Sequence, residues 1–172
     1  MPSAQVGVRV SITETNTDEL LTRLPLELRG KYLKQGVRGG LAVVRKKARQ
    51  LVPKAGYPGD KPGLKPLQDT IGVVVRDYGE TIYGAVGPQY PAGAHGHLVE
   101  HGTKPHVVKP KHKQAVAFEA GGDEVIRSQV FHPGSPGVPF MELAADSTVS
   151  EQKAAIEKKV MAGIEKETQS VR

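Results

Sequence analysis

The sequence predicts an α+β fold in which an antiparallel β-sheet packs against a long helix of the N-terminal half and a C-terminal helix. Apolar residues recur at helical spacing between 26 and 51, and again between 140 and 164. Short runs of β-branched residues separated by turn sequences lie between these segments. The order fits a single domain over residues 1–172, and 20 Gly and 13 Pro predict long loops within it.

The N-terminal region predicts a short strand followed by a helix start. Valine and isoleucine alternate with smaller or polar residues over 6–12, and a period of two is typical of a strand. Asn16-Thr17-Asp18 is a typical helix-capping sequence.

A longer helix is predicted to begin at Pro25, because proline suits the first helical position. It should end near Val52, since Pro53 disfavours helical backbone in the residue before it. Three glycines weaken its middle by about 1 kcal/mol each relative to alanine. They also permit close approach of another backbone, and they are Gly36, Gly39 and Gly40.

Two β-hairpins are predicted in the middle of the chain. The first pairs 70–76 with 81–86 across a turn at 77–80, and the second joins 114–118 to 125–131. The order of a strand, helices, a run of strands and a helix is an α+β pattern with an antiparallel sheet.

Two segments rich in proline and glycine are predicted as extended loops or arms, at 53–69 and 132–139. A helix follows from Phe140 to the C-terminal region, with an expected break at 147–150.

Composition excludes several classes of protein. The chain has no cysteine, which rules out disulfides, thiolate nucleophiles and cysteine-ligated zinc. The N-terminus lacks a secretory signal, and no apolar run reaches the length of a membrane span. We therefore expect a soluble protein made in the cytoplasm, with no membrane partner.

The net charge of +6 is concentrated in one stretch. From Arg23 to Lys54 ten Lys and Arg residues accompany one acid, Glu27. Such a stretch is either a solvated helix face or a surface that meets an anionic neighbour, which would be nucleic acid, a membrane surface or an acidic protein face. The basic residues at helical spacing that we expect to face DNA or a partner are Lys34, Arg38, Arg45, Lys46 and Arg49.

Five of the six histidines lie between His95 and His112, and His97 to His101 reads H-x-x-E-H. This is the pattern of a group of zinc peptidases, with His97 and His101 as metal ligands and Glu100 as general base. Nearby glycines and Pro105 leave room for only one or two helical turns, whereas a metal site needs a rigid element. The alternative is a short helical turn with Leu98 and Val99 packed inward. We favour it, and we predict no catalytic, cofactor-binding or metal-binding residue.

Several short motifs follow one another from residue 24 onward. In chain order they are Leu51-Val52-Pro53, Pro62-Gly63-Leu64, Thr70-Ile71, Val86-Gly87-Pro88, Leu98-Val99-Glu100-His101-Gly102-Thr103, His132-Pro133-Gly134 and Pro139-Phe140-Met141. Their order and spacing resemble the tail-completion or neck protein family of long-tailed bacteriophages, the small proteins of the head–tail joining region. That family usually has Phe or Tyr at the place of His101, so the H-x-x-E-H string resembles a family motif with a chance histidine.

The resemblance implies a non-enzymatic virion structural protein that acts in viral tail assembly and head–tail joining. It implies a closed homo-oligomeric ring, a hexamer, between the head connector and the tail tube or terminator proteins. Glu100 would accept hydrogen bonds from backbone N–H groups or pair with a basic residue, and Gly102 would adopt a positive φ. The structural motif comprises Pro53, Gly63, Leu64, Glu100, Gly102, Thr103, His132, Pro133, Gly134, Pro139 and Phe140.

Two other functions stay open at this point. The basic stretch is compatible with a DNA-binding protein that uses charge alone, because only Tyr32 interleaves an aromatic ring with it. A zinc hydrolase using His97, His101 and Glu100 is the remote alternative.

Overall fold

A computed structural model describes residues 26–53, 65–79, 81–110, 115–120 and 122–170. The predicted strand over 6–12 and the helix start at 16–18 lie outside these ranges. So do Gly63 and Leu64 of the proposed motif and most of the loop at 53–69.

Two long helices packed against each other frame the molecule. Helix α1 (Leu26–Leu51) ends near its predicted limit at Val52, whereas its predicted first residue, Pro25, lies outside the described residues. Helix α5 (Val149–Ser170) packs along α1. A Cβ at Gly36 would lie 2.8 Å from Val160 Cγ2, and one at Gly40 would lie 2.7 Å from Ile156 Cγ1. The predicted role of these glycines is therefore confirmed, since a larger residue would push α5 away from α1.

The hairpin of β1 (Ile71–Asp77) and β2 (Ile82–Pro88) covers another side of α1. The strands are antiparallel, with Val73 opposite Val86, and one face of the pair packs against the helix. The main core lies between α1, this hairpin and the helix that begins at Phe140. Its buried residues are Leu41, Val44, Ala48, Val52, Leu67, Ile71, Val86, Val99, Phe140, Met141, Ala144 and Ala145.

Shorter elements complete the described fold. Helix α2 (Leu67–Thr70) precedes β1, and α3 (Gly96–His101) follows β2. Helix α4 (Phe140–Asp146) precedes α5, with the predicted break between them at 147–148. The remaining strands are β3 (His106–Val108), β4 (Val116–Ala120), β5 (Asp123–Arg127) and β6 (Val130–His132).

The α+β class and the two long helices are confirmed. The described strands form three separate two-stranded antiparallel ladders, β1–β2, β3–β6 and β4–β5. The predicted strand over 125–131 was wrong as a single element, because its two halves pair with different partners on either side of 128–129.

Two further predictions needed correction. The segment 53–69 was expected to be loop throughout, but Leu67–Thr70 forms a helical turn because Leu67 is buried in the core. Leu98 and Val99 were both expected to pack inward, but Leu98 is 44% exposed and Val99 is buried. Adjacent helical residues diverge by about 100°, so a short surface helix buries only one of such a pair.

None of the helices in the described ranges combines the length and the apolar character that a membrane-spanning segment needs.

Candidate functional site

Two motif segments that are distant in sequence lie side by side, and we call residues 99–103 together with 134–142 the motif junction. The backbone N–H of Thr103 donates to Ser135 O at 2.9 Å, and the N–H of Ser135 donates to Thr103 O at 3.0 Å. The N–H of Val138 donates to Val99 O at 2.8 Å. The segment 132–139, which we expected to be an extended arm, is therefore held within the chain along its partner segment.

Glycines allow the two backbones to come this close. Gly102 has φ 73°, as predicted, and a Cβ on it would lie 2.6 Å from the backbone N of Gly137. A Cβ on Gly137 would lie 2.7 Å from Glu100 O. Gly134 also has a positive φ of 88° and faces the backbone of Thr103 to Pro105. Side chains at these positions would separate the segments.

Glu100 binds the N-terminus of helix α4. Its Oε2 accepts a hydrogen bond from the N–H of Met141 at 2.9 Å, and its Oε1 accepts one from the N–H of Glu142 at 3.1 Å. The carboxylate is buried, and Pro139 at the N-cap makes no side-chain capping bond. Glu100 thus supplies from a distant segment the cap that the helix lacks locally, and its negative charge suits the positive end of the helix. This confirms the expectation that it accepts bonds from backbone N–H groups.

The motif junction is fixed to the core on its inner side. Phe140 and Met141 have no measurable exposure, and Val99 is 1% exposed. These residues pack in the same cluster as Leu41 and Val44 of α1. Glu100 caps α4 and Phe140 anchors it in the core. The Glu-x-Gly-Thr motif therefore sets the position of the Pro-Phe motif.

The histidines lie mainly at the surface of this region. Nδ1 of His97 donates to Ala94 O at 2.8 Å, and His101 is exposed at the end of α3. The N–H of Gly134 donates to Nδ1 of His132 at 3.0 Å, and the His132 ring stacks on His106 with centroids 5.1 Å apart. Across the described ranges, no three His, Cys, Asp or Glu residues are grouped so that they could hold a metal ion.

The predicted basic residues of α1 mostly share one face, and we call Lys34, Arg38, Arg45, Lys46 and Arg49 the basic stripe. The residues at its two ends, Lys34 and Arg49, bind groups of strand β1. Lys34 Nζ lies 2.9 Å from Asp77 Oδ2, and Arg49 Nη2 donates to Ile71 O at 3.2 Å. The hydrogen bond from Lys34, followed by that from the Gly79 N–H, lowers the pKa of Asp77 below its ordinary value. These bonds fix the stripe beside strand β1.

The structure joins only part of the predicted motif set. Glu100, Gly102, Thr103, Gly134, Pro139 and Phe140 meet at the motif junction, and His132 and Pro133 lead into it. Pro53 lies two residues beyond the end of α1 and outside the junction. Sequence reasoning missed Gly137 and Val138, although the repeated glycines of the 134–137 stretch were a signal for close backbone packing.

No protein-family model, curated protein or solved structure was found to match this chain.

Proposed function

We propose that this chain is a non-enzymatic structural protein of a long-tailed bacteriophage, a ring component of the head–tail interface that acts in tail completion and head–tail joining. The sequence resemblance to the tail-completion and neck family is the basis of this proposal. The virion is then its site of action, and the head connector and the tail tube or terminator proteins are its neighbours.

The observation that carries the proposal is the hydrogen bonding of Glu100 to the Met141 and Glu142 amides. It gives the Glu-x-Gly-Thr motif and the Pro-Phe motif one shared structural purpose. A set of motifs that recur in order is expected if each positions the next, and here the first caps the helix that the second begins. The same contact supports a structural interpretation of the H-x-x-E-H string, because both carboxylate oxygens of Glu100 are engaged by backbone amides.

Inactivating the gene in its phage and imaging the particles by electron microscopy tests the proposal. We expect DNA-filled heads and separate or malformed tails, with infectivity restored by the wild-type gene supplied in trans. Normal, joined and infectious particles from the inactivated phage would overturn it.

A DNA-binding function is the second candidate, supported by the positive residues of the basic stripe. It predicts binding of short duplex DNA by the isolated protein, with an affinity that falls steeply as salt rises. A gel shift with no retarded band at low salt would remove this candidate.

A further inference from the structure

The middle of the basic stripe lacks an internal partner among the described residues. Arg38 and Lys46 are exposed and Arg45 is half-buried. The ion pairs found in the described ranges involve Lys31 and Lys34, not these three residues. Three positive charges on one helix thus lie between two residues that bind β1, and none of the ion pairs within 26–53, 65–79, 81–110, 115–120 and 122–170 neutralises them.

The hairpin of β4 and β5 carries a net negative charge, and we call residues 116–127 the acidic hairpin. It contains three acids, Glu119, Asp123 and Glu124, and one base, Arg127, at the end of β5 away from the turn. Glu119 is the register partner of Glu124 in this ladder. Asp123 and Glu124 are exposed, and neither pairs with a base in the part of the chain that the structure describes.

This hairpin stands apart from the core. Its strands pair with each other, and they have no extended packing against other described elements. Ile126 on β5 is 60% exposed. A two-stranded hairpin is marginally stable by itself in water, so a surface that covers it and offsets its negative charge would stabilise it.

We propose that the acidic hairpin of one copy of this chain docks on the basic stripe of a second copy. The pairing rests on the proposed function in that it names the contact between neighbours in the ring. The two surfaces differ, so after docking the first copy still has a free stripe and the second copy still has a free hairpin. Such a heterologous contact generates a closed ring when the rotation between neighbours closes. Charge fixes the register of the contact, and Ile126 adds apolar area beside it.

Charge reversal on the full chain tests the pairing. The stripe variant is Arg38→Glu with Arg45→Glu, and the hairpin variant is Asp123→Lys with Glu124→Lys. The matched control is Lys153→Glu with Lys158→Glu, which reverses two exposed positive charges on α5. Molar mass is measured by sedimentation over a range of protein and salt concentrations, and circular dichroism monitors folding of each variant.

We expect wild-type association that weakens as salt rises. Each variant should associate roughly tenfold or more weakly than wild type, because close charge pairs at an interface are strongly coupled. The control should behave as wild type. An equimolar mixture of the two variants should associate again, since the reversed hairpin of one matches the reversed stripe of the other. That recovery distinguishes docking from a folding defect.

Four results would overturn the docking proposal. The first is a wild-type chain that stays monomeric at low salt at its highest soluble concentration, and the second is charge-reversal variants that associate as strongly as wild type. The third is an equimolar mixture of the two variants that does not associate. The fourth is a stripe variant that loses only its binding of short duplex DNA. A wild-type ring unaffected by charge reversal removes the docking contact and leaves the proposed function standing. Recovery in the mixture, together with normal virions from the inactivated phage, supports the contact and removes the proposed function.

Discussion

Glu100 Oε2 accepts a hydrogen bond from the backbone N–H of Met141 at 2.9 Å, across 41 residues of chain. The bond joins the last turn of the short helix α3 to the first turn of α4, and both residues are buried. A carboxylate in this position satisfies amides that would otherwise lack partners, so the fold of the motif junction depends on its charge and its shape.

Glu100→Gln should destabilise the protein by about 1–3 kcal/mol, because the amide group keeps one acceptor oxygen and leaves the second backbone N–H unmatched. Urea denaturation monitored by circular dichroism measures this loss. Glu142→Gln is the matched control, since Glu142 is exposed in the same first turn and undergoes the same change of charge. It should cost less than about 1 kcal/mol. Equal losses in the two variants would contradict a specific capping role for Glu100.

Gly102→Ala should destabilise the protein by more than Gly79→Ala. Both glycines have positive φ, 73° and 83°, so both substitutions strain the backbone by about 1–3 kcal/mol. Only at Gly102 does the new Cβ also meet backbone atoms, whereas nothing lies within 4 Å of it at Gly79. The difference between the two midpoints of thermal unfolding reports the close approach together with any extra backbone strain at Gly102, whose ψ is −175°. If that difference were zero, the two segments would not be tightly opposed.

Two glycines of α1 should respond oppositely to alanine. Gly40→Ala places a Cβ 2.7 Å from Ile156 Cγ1 and should cost about 1–3 kcal/mol through overpacking. Gly30→Ala places it 3.5 Å from Asp77 Oδ2, an ordinary contact, and should stabilise the helix by up to about 1 kcal/mol. Chemical denaturation of both variants measures the two signs. A stabilising Gly40→Ala would show that α5 does not pack closely at this position.

The pKa of Asp77 should rise toward its ordinary value of 3.8 when Lys34 is replaced by glutamine, because the ammonium group that stabilises the carboxylate is lost. In the wild type, the lowered pKa of Asp77 means that its ionised carboxylate stabilises the folded state. This contribution is fully present at pH values above the ordinary pKa of the group. It disappears as the pH falls through the folded-state pKa. Titration of the Asp77 carboxyl carbon by NMR measures both values.

Lys46→Gln is the control for this titration, since Lys46 is exposed on the same helix and forms no ion pair with Asp77. It should leave the pKa of Asp77 unchanged. A low pKa that persists in Lys34→Gln would assign the shift to the Gly79 amide, the second contributor.

Local signals account for the elements that the sequence predicts well. The prolines at 25 and 53 predict the limits of α1, and its apolar spacing identifies the face that packs on the core. The β1–β2 hairpin follows from two runs of β-branched residues around a short turn. In each case the residues that predict the element lie within one helical turn or one strand pair. There the intrinsic propensity of the residues and their apolar pattern favour the same structure.

The remaining features depend on contacts between distant residues. The capping of α4 requires Glu100 to lie 41 positions before Met141, and no local pattern states which helix it will cap. The division of 125–131 into β5 and β6 arises because β6 finds its partner in β3, more than twenty residues earlier. The hairpin of β4 and β5 was predicted from its turn, but its separation from the core was not.

The paired hydrogen bonds between Thr103 and Ser135 also close the segment between them into a loop. The described strands between 104 and 134 pair with one another, β3 with β6 and β4 with β5, and the Thr103–Ser135 bridge brings the two ends of this segment together. A segment closed at its ends can be lengthened at little cost, because closure entropy grows only logarithmically with the number of residues. Insertions in this segment should therefore cost the packing of α1, α4 and α5 little stability.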